Sequence, residues 1–453
     1  SGAGYSARGS PRMTVAHEVE FPAAAMAAIL FAVSTVSAGY GIVLPILPLI
    51  LQAIDGPTAT AAISRHTGLL TGVHALALFL FAPLWGHLSD QYGRRRILCI
   101  GLVGFGVSLL LPTFKLSIDA LYAERFLTGL FAAGITPVAA ALIADQGGGD
   151  EWRARRIAWL SMAAISGFLL GPMLSGLLAT LSDTLVLKES ARSFELPFIA
   201  IAAVAIVASV TVRSLVPGDI AGVPAGVPDT GAQPDSNDIR TILMLRSLSF
   251  LVAAGVGVFE VGLAVRGNQE LGMAPSRVAL MFSACSLVMF ITQGIVFSPK
   301  FKPASTRWFI APALGVMAVS LLLVPFLRQF PLLLVTVATV AASAGILAPI
   351  LTYWISLGNR KTKGAELGKQ AAVVSLGQAI GSVAGGSLYA VATLPGAPFI
   401  ITAALLAAAT LVGLILPGLL VPHQARCAVR SVEGTCLPTV SQTLESQTTG
   451  ELR

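Results

Sequence analysis

Apolar residues in this chain neither alternate nor recur at the spacing of a surface helix. They run on for about 20 residues at a time, the length a helix needs to cross the hydrocarbon of a bilayer. Twelve such stretches are present: 24–51, 67–85, 97–114, 121–144, 157–181, 194–212, 242–265, 278–297, 308–326, 331–355, 371–392 and 399–421. Without water, every backbone N–H and C=O in such a stretch must pair within it, so each is predicted to be a helix. Six stretches precede and six follow the segment 217–239, where Pro, Gly, Asp and Ser replace the apolar run. That composition predicts a flexible cytoplasmic linker between two six-helix bundles, 21–216 and 240–421. Because six is even, both bundles start on the same side, as in a parallel repeat related about the membrane normal. Polar residues fill 1–20, a cytoplasmic segment that is tag-like before Met13, and 422–453, a disordered cytoplasmic tail. The expected fold class is all-α integral membrane, twelve transmembrane helices in two pseudo-symmetric bundles.

Composition sharpens this picture. With 55% hydrophobic and 11% charged residues the chain cannot present a water-soluble surface. Its 45 glycines, against only 7% aromatics, suit helices whose backbones touch. The net charge of +7 does not point to nucleic acid, because the bases sit in short runs between apolar stretches. Arg94, Arg95 and Arg96, then Arg153, Arg155 and Arg156, then Lys300, Lys302 and Arg307, then Arg360, Lys361 and Lys363 all fall on one side. The opposite loops carry fewer bases, Lys115 and Arg328 among them. By the positive-inside rule, both termini are cytoplasmic and the chain is a multi-pass protein of the inner membrane. Cys99, Cys285, Cys427 and Cys436 have no metal or redox spacing, and no cofactor or metal is expected. No hydrolase or zinc-protease motif occurs, and Gly147-Gly148-Gly149 is followed by Asp150 rather than by the Lys of a phosphate loop. The chain is therefore expected to be neither an enzyme nor driven by ATP.

Mechanism is suggested by three strings. Between the second and third stretches stands Gly86-His-Leu-Ser-Asp90-Gln-Tyr-Gly93-Arg94-Arg95-Arg96. Gly93 permits a sharp reversal, and Asp90 at a helix end can pair with Arg94 or with a facing helix N-terminus in one conformation and release it in another, a conformational latch. This pattern of glycine, acid, glycine and paired arginines resembles the loop signature of the major facilitator superfamily. Arg125-Phe-Leu-Thr-Gly129 is similar to that family's intramembrane arginine and following glycine. Gly167-Phe-Leu-Leu-Gly171-Pro172-Met-Leu-Ser-Gly176 resembles the string marking its proton-coupled drug antiporters. Further similarity to twelve-helix, tetracycline-type exporters lies at Gly41-Ile-Val-Leu-Pro45, at Phe81-Ala-Pro83-Leu-Trp-Gly86 and at Ile143-Ala-Asp145, which adds Asp145 to the latch. The resemblance implies the major facilitator fold and alternating access. It fades in the second half, where 299–303 lacks a second latch and Gly377-Gln-Ala-Ile-Gly381-Ser382 only echoes the antiporter string. Where tetracycline exporters carry an aspartate, Thr35-Val36-Ser37 has no acid, and His74 and Leu78 replace their tyrosine and glutamine. Tetracycline is thus a poor candidate for the cargo.

Charged groups inside a span are costly and are read as functional. They are His74, Glu124, Arg125 and Glu260, each placed by residue count in the outer half of the bilayer. Desolvation favours a neutral carboxyl and a nearby guanidinium favours the ionised one, so these four are the candidates for proton coupling and a charge switch. Glu260, between Gly257 and Gly262, is the foremost. A buried ion pair is its structural alternative, headgroup contact is that of Glu124, and packing that of His74. The resemblance places Tyr40, Tyr353 and Trp354 beside the central pathway, while Gln293, Gln370 and Gln378 are polar groups able to face it or to bond across helices. The expected function is a monomeric, proton-coupled exporter of small amphipathic or lipophilic molecules. A dedicated carrier for a sugar, organic acid, siderophore or other metabolite is the alternative, and a sensor on the same scaffold a more distant one.

Overall fold

The computed structural model describes residues 22–56, 59–114, 116–146, 150–184, 195–218, 236–296, 303–358, 363–391 and 396–420. The segment 1–20, most of the linker, the tail with Cys427 and Cys436, Gly147 to Gly149, Lys115, Lys300, Lys302, Arg360 and Lys361 lie outside them. Twelve helices are long and apolar enough to cross a membrane: α1 (Ala23–Val43), α2 (Thr60–Tyr92), α3 (Arg94–Phe114), α4 (Ile118–Ala144), α5 (Arg155–Leu178), α6 (Glu195–Leu215), α7 (Ile239–Glu270), α8 (Pro275–Val296), α9 (Ser305–Phe326), α10 (Phe330–Ile355), α11 (Gly368–Val391) and α12 (Ala397–Leu419). No strand occurs among the described residues.

Two features depart from the sequence expectation. The first apolar stretch, 24–51, is not one helix: α1 stops at Val43 and a short helix, Leu47–Asp55, follows a turn at 44–46. Pro45 has no N–H to continue the ladder, and Pro48 sits in the first turn of the new helix, where a missing donor costs nothing. The charge asymmetry is also smaller than the loops suggest. Arg65 in α2, Arg266 at the end of α7 and Arg277 at the start of α8 stand at the end opposite Arg94–Arg96. Arg266 is buried there, 3.5 Å from Glu270 and donating to the Leu327 carbonyl at 3.0 Å, in a π-helical turn spanning Arg266–Glu270.

Helix pairings repeat across the two halves. α1 packs on α5 and α6, α3 on α4 and α6, and α2 on α4; shifted by six, α7 packs on α11 and α12, α9 on α10 and α12, and α8 on α10. The halves meet along two seams of the same kind, α2 against α11 and α8 against α5.

Glycines make these approaches possible. A methyl on Gly167 would run into the Ser34 carbonyl of α1, and one on Gly171 would stand 2.5 Å from that of Ala38. In the second half Gly377 and Gly381 lie in the same way over the carbonyls of Phe250 and Ala254 of α7. The string that only echoes the antiporter motif in sequence is thus its structural counterpart. Gly176 does something else: it faces α8 across a seam, where an added carbon would meet Ala279 at 3.3 Å, a tight contact but one that a shift of a few tenths of an ångström relieves. Its counterpart Gly386 lies backbone to backbone against Gly68 of α2, with 2.7 Å from an added carbon to the Gly68 Cα. Overpacking costs about 1–3 kcal/mol or more. Gly167→Val and Gly381→Val are expected to lower the melting temperature in detergent sharply, and Gly176→Ala hardly at all; thermal unfolding of the three variants checks this.

Candidate functional site

Glu260 is almost fully buried on α7 and lies where the halves meet. The Tyr40 hydroxyl of α1 donates to its Oε2 at 2.8 Å. Gln378 of α11 donates through Nε2 to the same oxygen at 3.1 Å and to the Tyr40 oxygen at 3.0 Å. Gln378 can reach because Gly257, one turn before Glu260, lets α7 approach α11 until an added carbon would be 2.6 Å from the Gln378 carbonyl. The result is a closed triangle with one corner from the first half and two from the second. No cation lies within ion-pair distance of Glu260 among the described residues, so the buried-ion-pair alternative fails there. A carboxylate in this setting is held by donors alone, and charge-assisted bonds of this kind are about twice as strong as neutral ones.

From Tyr40 the polar path continues into the first half. Its ring stacks on His74 of α2, with centroids 5.1 Å apart, and on Phe168 of α5 at 5.9 Å. His74 Nδ1 is 3.3 Å from Thr128 Oγ1 of α4. Thr128 Oγ1 also lies 2.7 Å from the Glu124 carbonyl and 3.2 Å from the Arg125 carbonyl, so this hydroxyl joins the imidazole to the backbone of α4. Beneath this, Glu124 and Arg125 form a two-toothed pair, Nε to Oε2 at 2.6 Å and Nη2 to Oε1 at 2.5 Å. Both are buried, with Glu124 at 0% exposure, so Glu124 does not face the headgroups. Chain neighbours on a helix diverge by about 100°, and these two side chains close the angle to neutralise each other.

The remaining candidates are spread out. At the basic end, Gly93 takes φ of +95°, the left-handed reversal its position predicts. Arg94 pairs with Asp90 at 2.5 Å and Asp145 at 3.1 Å, and donates to Ser89, while Arg95 donates to the Val216 carbonyl. These contacts tie the ends of α2, α3, α4 and α6 within one half. Gly86 has open space around it. Trp354 is buried, and its indole donates to Thr306 of α9 at 3.1 Å, which turns it into the second bundle and away from the seam. Tyr353 stands edge-on to it at 5.6 Å. Gln293 and Gln370 are buried, and their Oε1 atoms meet no donor among the described residues. Pro172 caps the close approach of α5 to Gly41 of α1, at 3.1 Å from a carbon added there.

Contacts between the halves gather toward one end. Besides the triangle and the Gly68–Gly386 crossing, Gln52 donates to Asn268 at 3.3 Å and Gln269 to the Thr60 carbonyl at 3.4 Å. These lie away from the Arg94–Arg96 turn, at the other end of α2. Composition did not single out Gln52, Asn268 or Gln269, since polar residues at a span end carry no signal of what they touch. Among the described residues no group of His, Cys, Asp and Glu could hold a metal ion.

Comparison with known proteins adds to this geometry. Residues 29–358 match the sequence model of a family described as the Major Facilitator Superfamily. Multidrug resistance protein 1 of Bacillus subtilis (strain 168) is 26% identical over 372 residues, covering 78% of this chain and 86% of that protein. Quinolone resistance protein NorA of Staphylococcus aureus (strain COL) is 24% identical over 352 residues, with 78% and 86% covered. Among solved structures, the human organic anion transporter MFSD10 (TETRAN) superposes with a TM-score of 0.65 at 19% identity, over 87% of this chain and 99% of that one. An inward-facing, unoccupied bacterial homolog of the human lysosomal transporter Spinster superposes at 0.59 and 14% identity, over 87% and 95%. At these identities the solved structures speak to the fold alone.

Proposed function

The chain belongs to the Major Facilitator Superfamily, and from that premise we propose that it is a proton-coupled exporter of small amphipathic or lipophilic molecules. It is a multi-pass membrane transporter with distant multidrug-efflux relatives; protons as the driving ion, cationic lipophiles as cargo and a monomeric working unit are our reading. One observation carries it: the Glu260 carboxylate, buried in a span with no cation within ion-pair distance among the described residues and bonded to Tyr40 of the other half.

A carboxylate placed so can accept either a proton or a cationic cargo, and not both, which is the logic of antiport. Ionised, it draws the Tyr40 and Gln378 donors onto one oxygen and holds the halves together at that end. Protonated, it loses the charge assistance and the tie weakens. With the basic end in the cytoplasm, the seams close the outer side and the Arg94 cluster marks the inner one. Alternating access then rocks the bundle ending near 216 against the bundle beginning near 240. Arg94, Asp90 and Asp145, paired while the outer side is closed, serve as the latch that releases as the inner side closes, and Glu124–Arg125 with His74 as the charge element that responds to Glu260 through Tyr40. The Gly167–Gly171–Pro172 contact keeps α1 and α5 moving as one body.

Proteoliposomes loaded with a permanently charged lipophilic dye provide the test. An imposed pH gradient is expected to drive dye movement that a protonophore stops. Correctly inserted protein that moves no dye under the gradient would replace this reading with a dedicated metabolite carrier.

A further inference from the structure

Where α1 begins, at the basic end, it diverges from the helix Asp150–Thr184 that contains α5, and a cavity of about 450 Å³ opens between them. Pro22, Met26 and Leu30 of the first helix and Trp152, Arg156 and Trp159 of the second line it. The Arg156 guanidinium lies over both indoles, 5.1 Å from the Trp152 ring centre and 4.3 Å from that of Trp159. Cation–π contact holds the plane of the guanidinium but leaves the edge with its N–H donors unused. Among the described residues no acid or carbonyl accepts from it, in contrast to Arg94, Arg95, Arg125, Arg266 and Arg307, each of which has an oxygen partner.

We propose that this crevice binds a phospholipid through an anionic headgroup. The apolar part of the helix begins at Arg155, so Arg156 stands at the boundary between hydrocarbon and water, where Trp is favoured. A phosphate there meets the free fork of Arg156 in two-toothed fashion. The N-terminus of α1 at Pro22, without a side-chain cap among the described residues, borders the same space and adds partial positive charge. Met26, Leu30 and the exposed face of Trp159 continue the site as an apolar wall for the glycerol and upper acyl chain. A free anion would use the guanidinium but not that wall, whereas a phospholipid uses both. A lipid bound here bridges the first and fifth helices of one half.

The test is thermal stability of the purified full chain in uncharged detergent, titrated with short-chain phosphatidylglycerol, with phosphatidylcholine of the same chains and with glycerol phosphate. Phosphatidylglycerol is expected to raise the melting temperature of the native protein while the other two do not. Arg156→Gln should weaken that response by roughly tenfold or more, the worth of a hydrogen bond to a charged group, and Arg155→Gln, on an exposed neighbour, should leave it intact. Should Arg156→Gln fail to fold, Arg156→Lys keeps the charge without the fork, and a weakened response there supports the site equally. An undiminished response in the Arg156 variants, or an equal effect of phosphatidylcholine, would overturn the proposal. Stabilisation by glycerol phosphate as strong as that by the lipid would mean a plain anion site and would overturn it too.

Discussion

Glu260→Gln is expected to remove gradient-driven transport altogether while leaving a folded protein. The amide has the shape of the carboxyl and its oxygen still accepts from Tyr40, so the seam keeps its geometry and loses only charge and titration. Stability should stay within about 1 kcal/mol of native, since no cavity forms and no donor loses its acceptor. Dye efflux under a pH gradient should fall to the protein-free rate. Exchange of labelled for unlabelled dye, which moves no net proton, should survive in part. Tyr40→Phe is the milder companion: it removes one donor and leaves Gln378, so transport should be slowed and the pH dependence altered rather than abolished. Native efflux in Glu260→Gln would take the acid out of the mechanism.

Arg125→Ala is expected to be the most destabilising single change in the polar path. It leaves Glu124, which is 0% exposed, without its two-toothed partner. Stranding one member of a buried pair costs about 3–5 kcal/mol, whereas removing both charges is often neutral. Thermal unfolding in detergent should therefore show a large fall for Arg125→Ala and recovery of most of it in Glu124→Gln/Arg125→Gln. The recovered double variant also separates roles. Transport that stays low in a stable double variant supports the charge element; native transport would reduce the pair to scaffolding.

Much of the fold was legible because hydrocarbon leaves a chain few options. Backbone groups must pair locally, so the twelve apolar runs had to be helices, and a polar break after six announced the repeat. Gly93 was legible for an equally local reason, since its φ depends on its own missing Cβ. The break at Pro45 was hidden because its neighbours are as apolar as the rest of the span. Pro83, Pro172, Pro349 and Pro417 sit inside helices without ending them, so proline alone does not mark a stop. What composition could not give was partnership across distance. Tyr40, Gln378 and Glu260 were each singled out as polar groups in spans, but the bonds joining them cross 220 and 118 positions. The close pairing of Glu124 with Arg125 was not legible from their positions either, because chain neighbours on a helix normally point apart. The role of Gly377 and Gly381 emerged only when the Phe250 and Ala254 carbonyls were found beneath them, in the register that Ser34 and Ala38 hold under Gly167 and Gly171.

The central claim is that proton and cargo compete for one carboxylate, and the most direct measurement runs the coupling backwards. Proteoliposomes enclosing a pH indicator, with no pH gradient imposed and the membrane voltage clamped, are given a pulse of a permanently charged lipophilic cation outside. Cargo entering through the native protein should drive protons out and raise the internal pH, and Glu260→Gln should leave it unchanged. Cargo uptake by the native protein with no change in internal pH would contradict the account.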